Sequence, residues 1–433
     1  MSHGLRAKET ERVPQRRGVE CPASQMKAAD ELDHDAETIL TARIVIKAGR
    51  EKSLRRRHPW IFSGAVEGVE GAPAAGETVD VVDSTGAFLA RAAYSPASQI
   101  RARVMTFDAD EPLDAALIRK RLEHAIALRR RLGRLHPDGA CRLVFSESDR
   151  LPGLIVDHYA SHLVCQFLSA GAERWRGEIV AALGGLLEPR GIHERSEGAA
   201  RRKEGLESRR GTLAGEAPEE PIEYRCGPLV RRFAVGRGQK TGAYLDQQDN
   251  AARVARYADG ARVLDAFAYT GGFALAALAA GASEAVLIES SRDALEQAAA
   301  DAEANGLAGV RAVAGDAFTE LRVLVERGER FGLVVVDPPK FVHSAEQLRS
   351  GSRGYKDVNL LALRLVEPGG TLATFSCSGH VDAALFQKIV AGAAIDAGRD
   401  VQILERLTQP PDHPVALEFP EAEYLKGLIL AVR

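Results

Sequence analysis

The stretch Asp265-Ala266-Phe267-Ala268-Tyr269-Thr270-Gly271-Gly272-Phe273 decides how the second half of this chain folds. It lies between an apolar run at 263–267, which predicts a buried strand, and an alanine-rich run at 272–280, which predicts a helix. A turn with glycines between a strand and a helix lets the backbone approach a nucleoside cofactor at the carboxyl edge of a sheet. The turn lacks the G-x-G-x-x-G spacing that cradles a pyrophosphate, which disfavours a dinucleotide site.

Strand and helix patterns alternate on both sides of this stretch. The strand-like runs lie at 285–289, 310–313, 333–336, 370–376, 401–407 and 427–432, and a helical run lies at 292–305. Such alternation is typical of a doubly wound, mostly parallel sheet with helices on both faces. We therefore predict an α/β, Rossmann-like fold for residues 233–433.

An acidic residue follows or ends each of the first four strands of this series: Asp265, Glu289, Asp316 and Asp337. In one strand such an acid is often only a helix cap. Four acids in register at one sheet edge instead predict a cofactor site, where Glu289 accepts ribose hydroxyls and Asp316 reaches an adenine amino group beside Phe318. S-adenosylmethionine (SAM) fits this set, because it has no phosphate and carries a cationic sulfonium.

A cysteine leaves the fifth strand of the series near the same edge, in Phe375-Ser376-Cys377-Ser378-Gly379-His380. Many cysteines are buried and act as small apolar groups. A cysteine beside a SAM site can instead be a nucleophile. Addition of a thiolate to carbon-6 of cytosine would make carbon-5 able to accept a methyl group, so Cys377 favours methylation at a ring carbon.

The first half of the chain has a different organisation. Residues 1–40 are polar and without a period, which predicts a disordered tail or a start codon placed too early. Residues 41–112 hold short strand-like runs between glycine and proline turns, typical of a small β-barrel or sandwich. Residues 113–232 predict an α+β middle domain that begins with an arginine-rich helix, includes a surface loop at 198–221 and ends in a hairpin.

The small β domain contains a basic cluster. Its members are Lys47, Arg50, Lys52, Arg55, Arg56 and Arg57. An isolated run of this kind is usually a solvated face, but cations in a separate domain ahead of a methyltransferase fold can neutralise RNA phosphates. We therefore predict that this cluster binds RNA.

Charge and cysteine content exclude few functions, but they indicate the cellular compartment. The formal net charge is -3, and the five cysteines form no CxxC pair, so we expect no metal site and no disulfide framework. No apolar run resembles a signal peptide or a membrane span. The expected location is the cytoplasm.

Taken together, the motifs resemble those of the bacterial 23S rRNA 5-methylcytosine methyltransferases of the large-subunit RlmI type, over roughly residues 42–433. The motifs are His58-Pro59-Trp60-Ile61-Phe62-Ser63-Gly64, Leu151-Pro152-Gly153-Leu154-Ile155-Val156-Asp157, Gly238-Gln239-Lys240-Thr241-Gly242, Tyr244-Leu245-Asp246-Gln247, Tyr269-Thr270-Gly271-Gly272-Phe273, Asp337-Pro338-Pro339-Lys340-Phe341, Ser376-Cys377-Ser378 and Asp412-His413-Pro414.

The resemblance implies a class I SAM-dependent methyltransferase domain behind a PUA-like RNA-binding domain and an α+β middle domain. It implies Cys377 as the nucleophile, and we group Asp337 and Lys340 with it as catalytic candidates. The cofactor-binding candidates are Asp265, Phe267, Tyr269, Thr270, Gly271, Glu289, Asp316, Ala317, Asp337 and Gln247. Phe341 joins the RNA-binding set as a residue that stacks on the target base or, equally, packs in the core. The expected partner is 23S rRNA or a large-subunit precursor, and a homodimer is left open.

This chain departs from the family pattern at two places. Two-cysteine RNA cytosine methyltransferases have a second cysteine after the fourth strand that assists release, and residues 337–341 contain none. The base that removes the carbon-5 proton is therefore left open, with Asp337 and an ordered water as the candidates. Gln248 stands where the family usually has arginine, and Arg253 is the candidate substitute.

Several assignments stay open at this point. Lys240, Thr241, Asp246 and Gln247 line the SAM or base pocket, or form a plain interdomain loop. His413 assists proton transfer or orients its loop. The competing functions are methylation of a base nitrogen, which the Asp-Pro-Pro segment with its aromatic also suits, and a noncatalytic RNA-binding assembly factor with a SAM-type fold.

Overall fold

The computed structural model describes residues 42–218, 221–235 and 242–433. The predicted tail at 1–40 and the candidates Lys240 and Thr241 lie outside the described residues. Within the described ranges, the strands form four sheets. None of the helices there combines the length and the apolar character needed to cross a bilayer.

The predicted small β domain is a six-stranded sheet with the order β2-β6-β5-β4-β1-β3. Its elements are β1 Arg43–Ile46, α1 Lys52–Arg55, β2 Trp60–Phe62, β3 Val66–Glu70, β4 Thr78–Val82, β5 Phe88–Tyr94 and β6 Ile100–Thr106. Alternate residues of the strands, such as Ile44 and Ile46 or Val79 and Val81, are buried in one core together with Leu54 of α1. That two-residue period is what made the strands readable from the sequence.

The middle region is a five-stranded sheet with the order β11-β10-β9-β8-β7, followed by a two-stranded hairpin. Its elements are α2 Ala115–Arg131, β7 Ala140–Phe145, β8 Leu154–Tyr159, β9 His162–Phe167, α3 Ala170–Arg174, α4 Arg176–Leu187, β10 Gly191–Ser196, α5 Ala199–Lys203, β11 Arg209–Gly215, β12 Ile222–Cys226 and β13 Leu229–Phe233. The apolar side of α2 packs on this sheet through Ile118, Leu122 and Ile126.

One expectation for this region was wrong. The predicted surface loop at 198–221 contains α5 and the edge strand β11, which pairs with β10. Six of the seven β11 residues are exposed, so the strand shows no alternation of apolar and polar residues that could reveal it. In the arginine-rich helix α2, Arg121 and Arg129 are buried.

The C-terminal region is a seven-stranded sheet with the order β16-β15-β14-β17-β18-β20-β19. Its elements are α6 Gln248–Ala255, β14 Arg262–Ala266, α7 Gly272–Ala279, β15 Glu284–Glu289, α8 Arg292–Ala304, β16 Val310–Ala314, α9 Ala317–Glu326, β17 Phe331–Val336, α10 Leu348–Leu365, β18 Val366–Ser376, α11 Ala383–Ala397, β19 Val401–Leu407 and β20 Lys426–Val432. β20 runs antiparallel to both of its neighbours, β18 and β19, and the other neighbouring strands pair in parallel. Two apolar cores cover the two faces of the sheet, which confirms the predicted α/β class.

Polar and aromatic contacts join the small β domain to the other two regions. Glu147 accepts a hydrogen bond from Trp60 Nε1 at 2.7 Å and pairs with Arg103 at 3.3 Å, linking the small β domain to the middle region. The Trp60 ring packs edge-on against Phe419, with centroids 4.7 Å apart, in the segment between β19 and β20. These contacts bring the small β domain next to the carboxyl-terminal part of the sheet region.

Candidate active site

A cavity of about 840 Å³ lies at the carboxyl edge of the seven-stranded sheet. Its volume is within the roughly 300–1,000 Å³ typical of small-molecule sites. The predicted site residues that line it are Gln247, Phe267, Tyr269, Thr270, Glu289, Asp337, Lys340 and Cys377. The structure therefore brings together residues from distant parts of the sequence.

The loop between β14 and α7 forms one wall of the cavity in an unusual backbone conformation. Phe267 has φ 64° and Tyr269 has φ 49°, a left-handed region that non-glycine residues rarely adopt. Gly271 has φ 74°, and a Cβ there would meet Leu287 at 2.8 Å, so this position requires glycine. Strain of this kind persists where the surroundings fix it, and it clusters at ligand sites.

Hydrogen bonds hold that loop in place. Tyr269 donates from its backbone N–H to Glu289 at 3.0 Å and from its hydroxyl to the Gly242 carbonyl at 3.0 Å. Arg231 donates to the Thr270 carbonyl at 2.8 Å and is itself fixed by a buried ion pair with Asp301 at 2.9 Å. The loop is thus preorganised before any ligand enters.

Two acids of this edge fit a nucleoside cofactor with an amino-acid moiety. Asp265 is 1 % exposed; its Oδ2 accepts from Ala274 N at 3.0 Å, and its Oδ1 has no partner among the described residues. Burial raises the pKa of Asp265 to about 7. A buried oxygen without a partner is costly, so a donor from a bound ligand would satisfy it. Glu289 is half-buried at the end of β15 and lines the cavity.

Asp337 and Gln247 are joined directly in the cavity wall. Gln247 Nε2 donates to Asp337 Oδ2 at 2.9 Å, and Gln247 Oε1 accepts from Asn250 at 2.6 Å. Because both polar ends of Gln247 are used, the amide fixes the orientation of Asp337. Asp246, one residue earlier, accepts from the Tyr424 hydroxyl at 2.5 Å.

Cys377 is the first residue after β18 and is half-exposed in the cavity wall. The residues on either side of it, Ser376 and Ser378, are fully buried. The Ser378 hydroxyl is held by Val342 N at 3.2 Å and shares a 2.8 Å hydrogen bond with the Tyr355 hydroxyl. The thiol is therefore presented to the cavity by a rigid backbone.

Some predicted residues do not line this cavity. Gly271 and Ala317 are buried outside its lining, and Asp316 is the N-cap of α9, where its Oδ1 accepts from Thr319 N at 2.9 Å. Phe341 packs against Tyr355, with ring centroids 4.8 Å apart, and against the core below the sheet edge. A direct ligand contact of Asp316 and base stacking by Phe341 stay predictions.

The structure gives the positions of two residues whose roles the sequence left open, Arg253 and His413. Arg253 bonds to Glu405 at 2.8 Å and does not line the cavity, so it does not replace the arginine expected at Gln248. His413 is 1 % exposed, lies 3.2 Å from Asp412 and packs against Phe145, outside the cavity lining. That placement favours the loop-orienting role for His413.

Sequence reasoning assigned no role to Tyr244, Tyr424 or Lys426. Tyr244 and Tyr424 line the cavity, and Lys426 donates to the carbonyl of Ser378 at 2.7 Å. Tyr244 begins the motif at 244–247, so its neighbour Asp246 could have pointed to it. Tyr424 and Lys426 enter from the segment around the start of the last strand, and no pattern in the sequence marks them.

The basic cluster of the small β domain lies at the surface. All six of its residues are exposed, and within the described structure only Arg55 among them forms an ion pair, with Asp83 at 3.2 Å. A second cavity, of about 380 Å³, lies between Trp60, Phe145 and Phe419 and shares Tyr424 with the larger cavity. The two cavities therefore adjoin one another, and the smaller one lies on the side of the small β domain.

Replacing Glu289 with glutamine should weaken SAM binding about tenfold, because a charge-assisted hydrogen bond is worth roughly 1.5–3 kcal/mol and an amide NH₂ cannot accept one. Isothermal titration with SAM measures the change. Glu296→Gln, at an exposed position of α8, is the matched control and should bind as the unaltered protein does. Equal affinity of the two variants would remove Glu289 from the site.

Two family models match the chain. Residues 44–107 match the PUA-like domain, and residues 206–430 match the S-adenosylmethionine-dependent methyltransferase model. The first match confirms the predicted PUA-like character of the six-stranded sheet. The second confirms SAM as the cofactor, in agreement with the acids and the orphaned Asp265 oxygen at the sheet edge. The expected domain boundaries at 113 and 233 stay predictions.

Curated relatives agree with these matches. Ribosomal RNA large subunit methyltransferase I of Aeromonas salmonicida (strain A449) is 49% identical over 392 residues, covering 90% of this chain and 99% of the relative. Proteins of the same name from Tolumonas auensis and Escherichia coli (strain SMS-3-5 / SECEC) are 50% and 48% identical, over 90% and 91% of this chain and 99% and 100% of the relatives.

A putative SAM-dependent methyltransferase from Streptococcus mutans has the same fold, with a TM-score of 0.78 and 20% identity over 90% of this chain and 99% of that one. At that identity the likeness concerns the fold alone. The identity to the curated relatives, over nearly their whole length, is much higher. The chain is therefore a member of the SAM-dependent methyltransferase family, in the group whose curated members are named ribosomal RNA large subunit methyltransferase I.

Proposed function

We propose that this protein transfers a methyl group from SAM to carbon-5 of a cytosine in 23S rRNA, through a covalent bond between Cys377 and the base. The observation that carries the proposal is the placement of Cys377. It leaves β18 on a rigid backbone and faces the same cavity as Glu289 and Asp337. Methyl transfer to a nitrogen needs no thiol at this place.

The chemistry assigns a task to each residue. SAM supplies a methyl group on a sulfonium and leaves as the neutral thioether. Cys377 adds its sulfur to carbon-6 of cytosine, which gives carbon-5 the electron density to accept that methyl group. Asp337, or a water that it holds, then removes the carbon-5 proton; the electrons of that C–H bond restore the ring double bond, and the sulfur of Cys377 leaves carbon-6.

RNA as the substrate is supported by three features. The relatives act, by their names, on ribosomal RNA of the large subunit. The PUA-like domain exposes its cation cluster, which suits phosphates. The smaller cavity between Trp60 and Phe419 adjoins the larger one and offers aromatic rings to unpaired bases. Because carbon-6 must meet the thiol, the target base has to be unstacked or single-stranded.

The direct test is nucleoside analysis of the product. Large-subunit rRNA that lacks the modification is incubated with the protein and SAM carrying a labelled methyl group, then digested and analysed by mass spectrometry. We expect the label in 5-methylcytidine. Label in an N-methylated nucleoside would establish the nitrogen reaction instead, and no label in any nucleoside would favour the noncatalytic assembly factor.

Reversing the charges of Arg55, Arg56 and Arg57 should weaken RNA binding and flatten its salt dependence. For each phosphate that the variant no longer neutralises, the slope of log K against log salt should fall by about 0.7–0.9. The control reverses three exposed arginines of the methyltransferase domain, Arg327, Arg330 and Arg364, which gives the same change of net charge.

Fluorescence anisotropy at several salt concentrations measures both effects, and SAM titration verifies that the cofactor site is intact. An equal slope for the two triple variants would place the RNA contact elsewhere. The exposed cations of α2, Lys120, Arg130 and Arg131, would then be the next candidates.

A further inference from the structure

Lys426 has a buried ammonium group with no counter-ion among the described residues. It is 8 % exposed, and no carboxylate oxygen of those residues lies within 4 Å of its nitrogen. Two of its three N–H donors are used, each at 2.7 Å, by the carbonyls of Ser378 and Tyr424. A buried charge held only by neutral groups is costly, so its presence calls for a reason.

The position of Lys426 supplies that reason. It pairs with Ser376 across β18 and β20, and its ammonium binds the carbonyl of Ser378. Both residues are the immediate neighbours of Cys377. We propose that Lys426 is a positioning residue for Cys377: its ammonium stabilises the thiolate of the nucleophile and holds the peptide that follows it. The inference rests on the proposed function, because it gives Lys426 a task only where Cys377 reacts.

The charges around the pair agree with this assignment. Burial lowers the pKa of Lys426 to about 8, and a negative charge on Cys377 acts in the opposite direction. Glu423 and Asp382 favour the charged lysine from a greater distance, and Lys340 opposes it. The hydroxyls of Tyr244, Tyr355 and Tyr424 also interact with Cys377, and none of them can supply a positive charge.

The step itself is a simple proton loss. The Cys377 S–H bond breaks, the proton passes to solvent, and the electron pair stays on sulfur beside the ammonium. The thiolate formed in this way gives Lys426 a negative partner. The same charge also favours departure of the sulfur as a thiolate when the product is released.

The test is the pH dependence of Cys377 alkylation by iodoacetamide, followed on the peptide that contains it by mass spectrometry. Lys426→Gln keeps amide donors for the two carbonyls but removes the charge. We expect its alkylation midpoint about one pH unit above that of the unaltered protein, and hence a rate about tenfold lower at pH 7. Lys388→Gln, at an exposed position of α11, is the control and should leave the midpoint unchanged.

A second variant covers the case in which Lys426→Gln does not fold. Lys426→Arg keeps a charge that does not titrate in the accessible range. Its alkylation curve should become a single-proton titration, whereas that of the unaltered protein should be broadened by loss of the Lys426 proton near a pKa of about 8. Identical curves for lysine, glutamine and arginine would overturn the proposal.

The assay separates this proposal from the proposed function, because alkylation needs neither RNA nor SAM. A shifted midpoint together with full methylation by a Cys377→Ala protein would leave the charge coupling standing and remove the nucleophilic role. An unshifted midpoint together with an inactive Cys377→Ala protein would remove the charge coupling and leave the nucleophilic role of Cys377 standing.

Discussion

Cys377→Ala is expected to lower methyl transfer by at least about 10³-fold, since removal of a nucleophile can cost up to about 10⁶. Without sulfur on carbon-6, carbon-5 of cytosine has too little electron density to accept the methyl group. SAM and RNA affinities should stay near those of the unaltered protein, because alanine fills the same place in the wall. Single-turnover assays with labelled SAM measure the loss.

The matched control is Cys141→Ala. Cys141 is 1 % exposed, and burial raises its pKa to about 12, so its sulfur stays a thiol and serves only in packing. This variant should keep full activity at temperatures where it is folded. Activity of Cys377→Ala comparable to that of Cys141→Ala would refute the covalent mechanism.

A trapping experiment tests the same mechanism through the formation of a covalent complex, in place of a loss of activity. RNA with 5-fluorocytosine at the target position should form a stable covalent complex with the unaltered protein in the presence of SAM. Fluorine replaces the proton that must leave, so elimination stops after methyl transfer and the sulfur stays on carbon-6. Cys377→Ala should form no complex on a denaturing gel. Absence of a complex with both proteins, together with active methylation, would point to a nitrogen acceptor.

The candidate residues at the sheet edge were predictable because each of them ends or follows a strand that the sequence pattern indicates. Buried strands of a parallel sheet are nearly continuous apolar runs, so the positions of Asp265, Glu289, Asp337 and Cys377 at their ends could be fixed from spacing alone. The structure brings the last three of these to one cavity, whereas Asp265 is buried and is not part of its lining. What spacing could not decide was which terminal acid faces the cavity and which caps a helix, as Asp316 does.

Residues that come to the site from outside the strand series could not be predicted. Tyr424 and Lys426 reach Asp246 and Ser378 only because β20 inserts antiparallel between β18 and β19, a topology that local patterns do not encode. The same limit applies to Arg129. From the sequence it is one of several arginines of α2, and only the packing of that helix shows that it is buried.

Arg129→Met is expected to be the most destabilising exchange in the middle region. The side chain is fully buried and bonds to both oxygens of Asp149, at 2.7 and 2.8 Å. It also donates to the carbonyl of Arg142 at 2.9 Å and to that of Asp412 at 2.7 Å, which fastens the segment before β20 to α2. Methionine leaves the Asp149 carboxylate buried without its cation, at a cost of about 3–5 kcal/mol.

Urea unfolding measures this cost, and Arg130→Met is the control, because Arg130 is the exposed neighbour on the same helix. The double variant Arg129→Met with Asp149→Leu should recover much of the stability, since both charged partners are then replaced by apolar groups of similar size. A similar cost for Arg129→Met and Arg130→Met would show that the buried pair does not stabilise the fold. A double variant no more stable than Arg129→Met alone would instead assign the loss to the hydrogen bonds that it cannot restore, namely those to the carbonyls of Arg142 and Asp412 and the one that Phe145 N donates to Asp149.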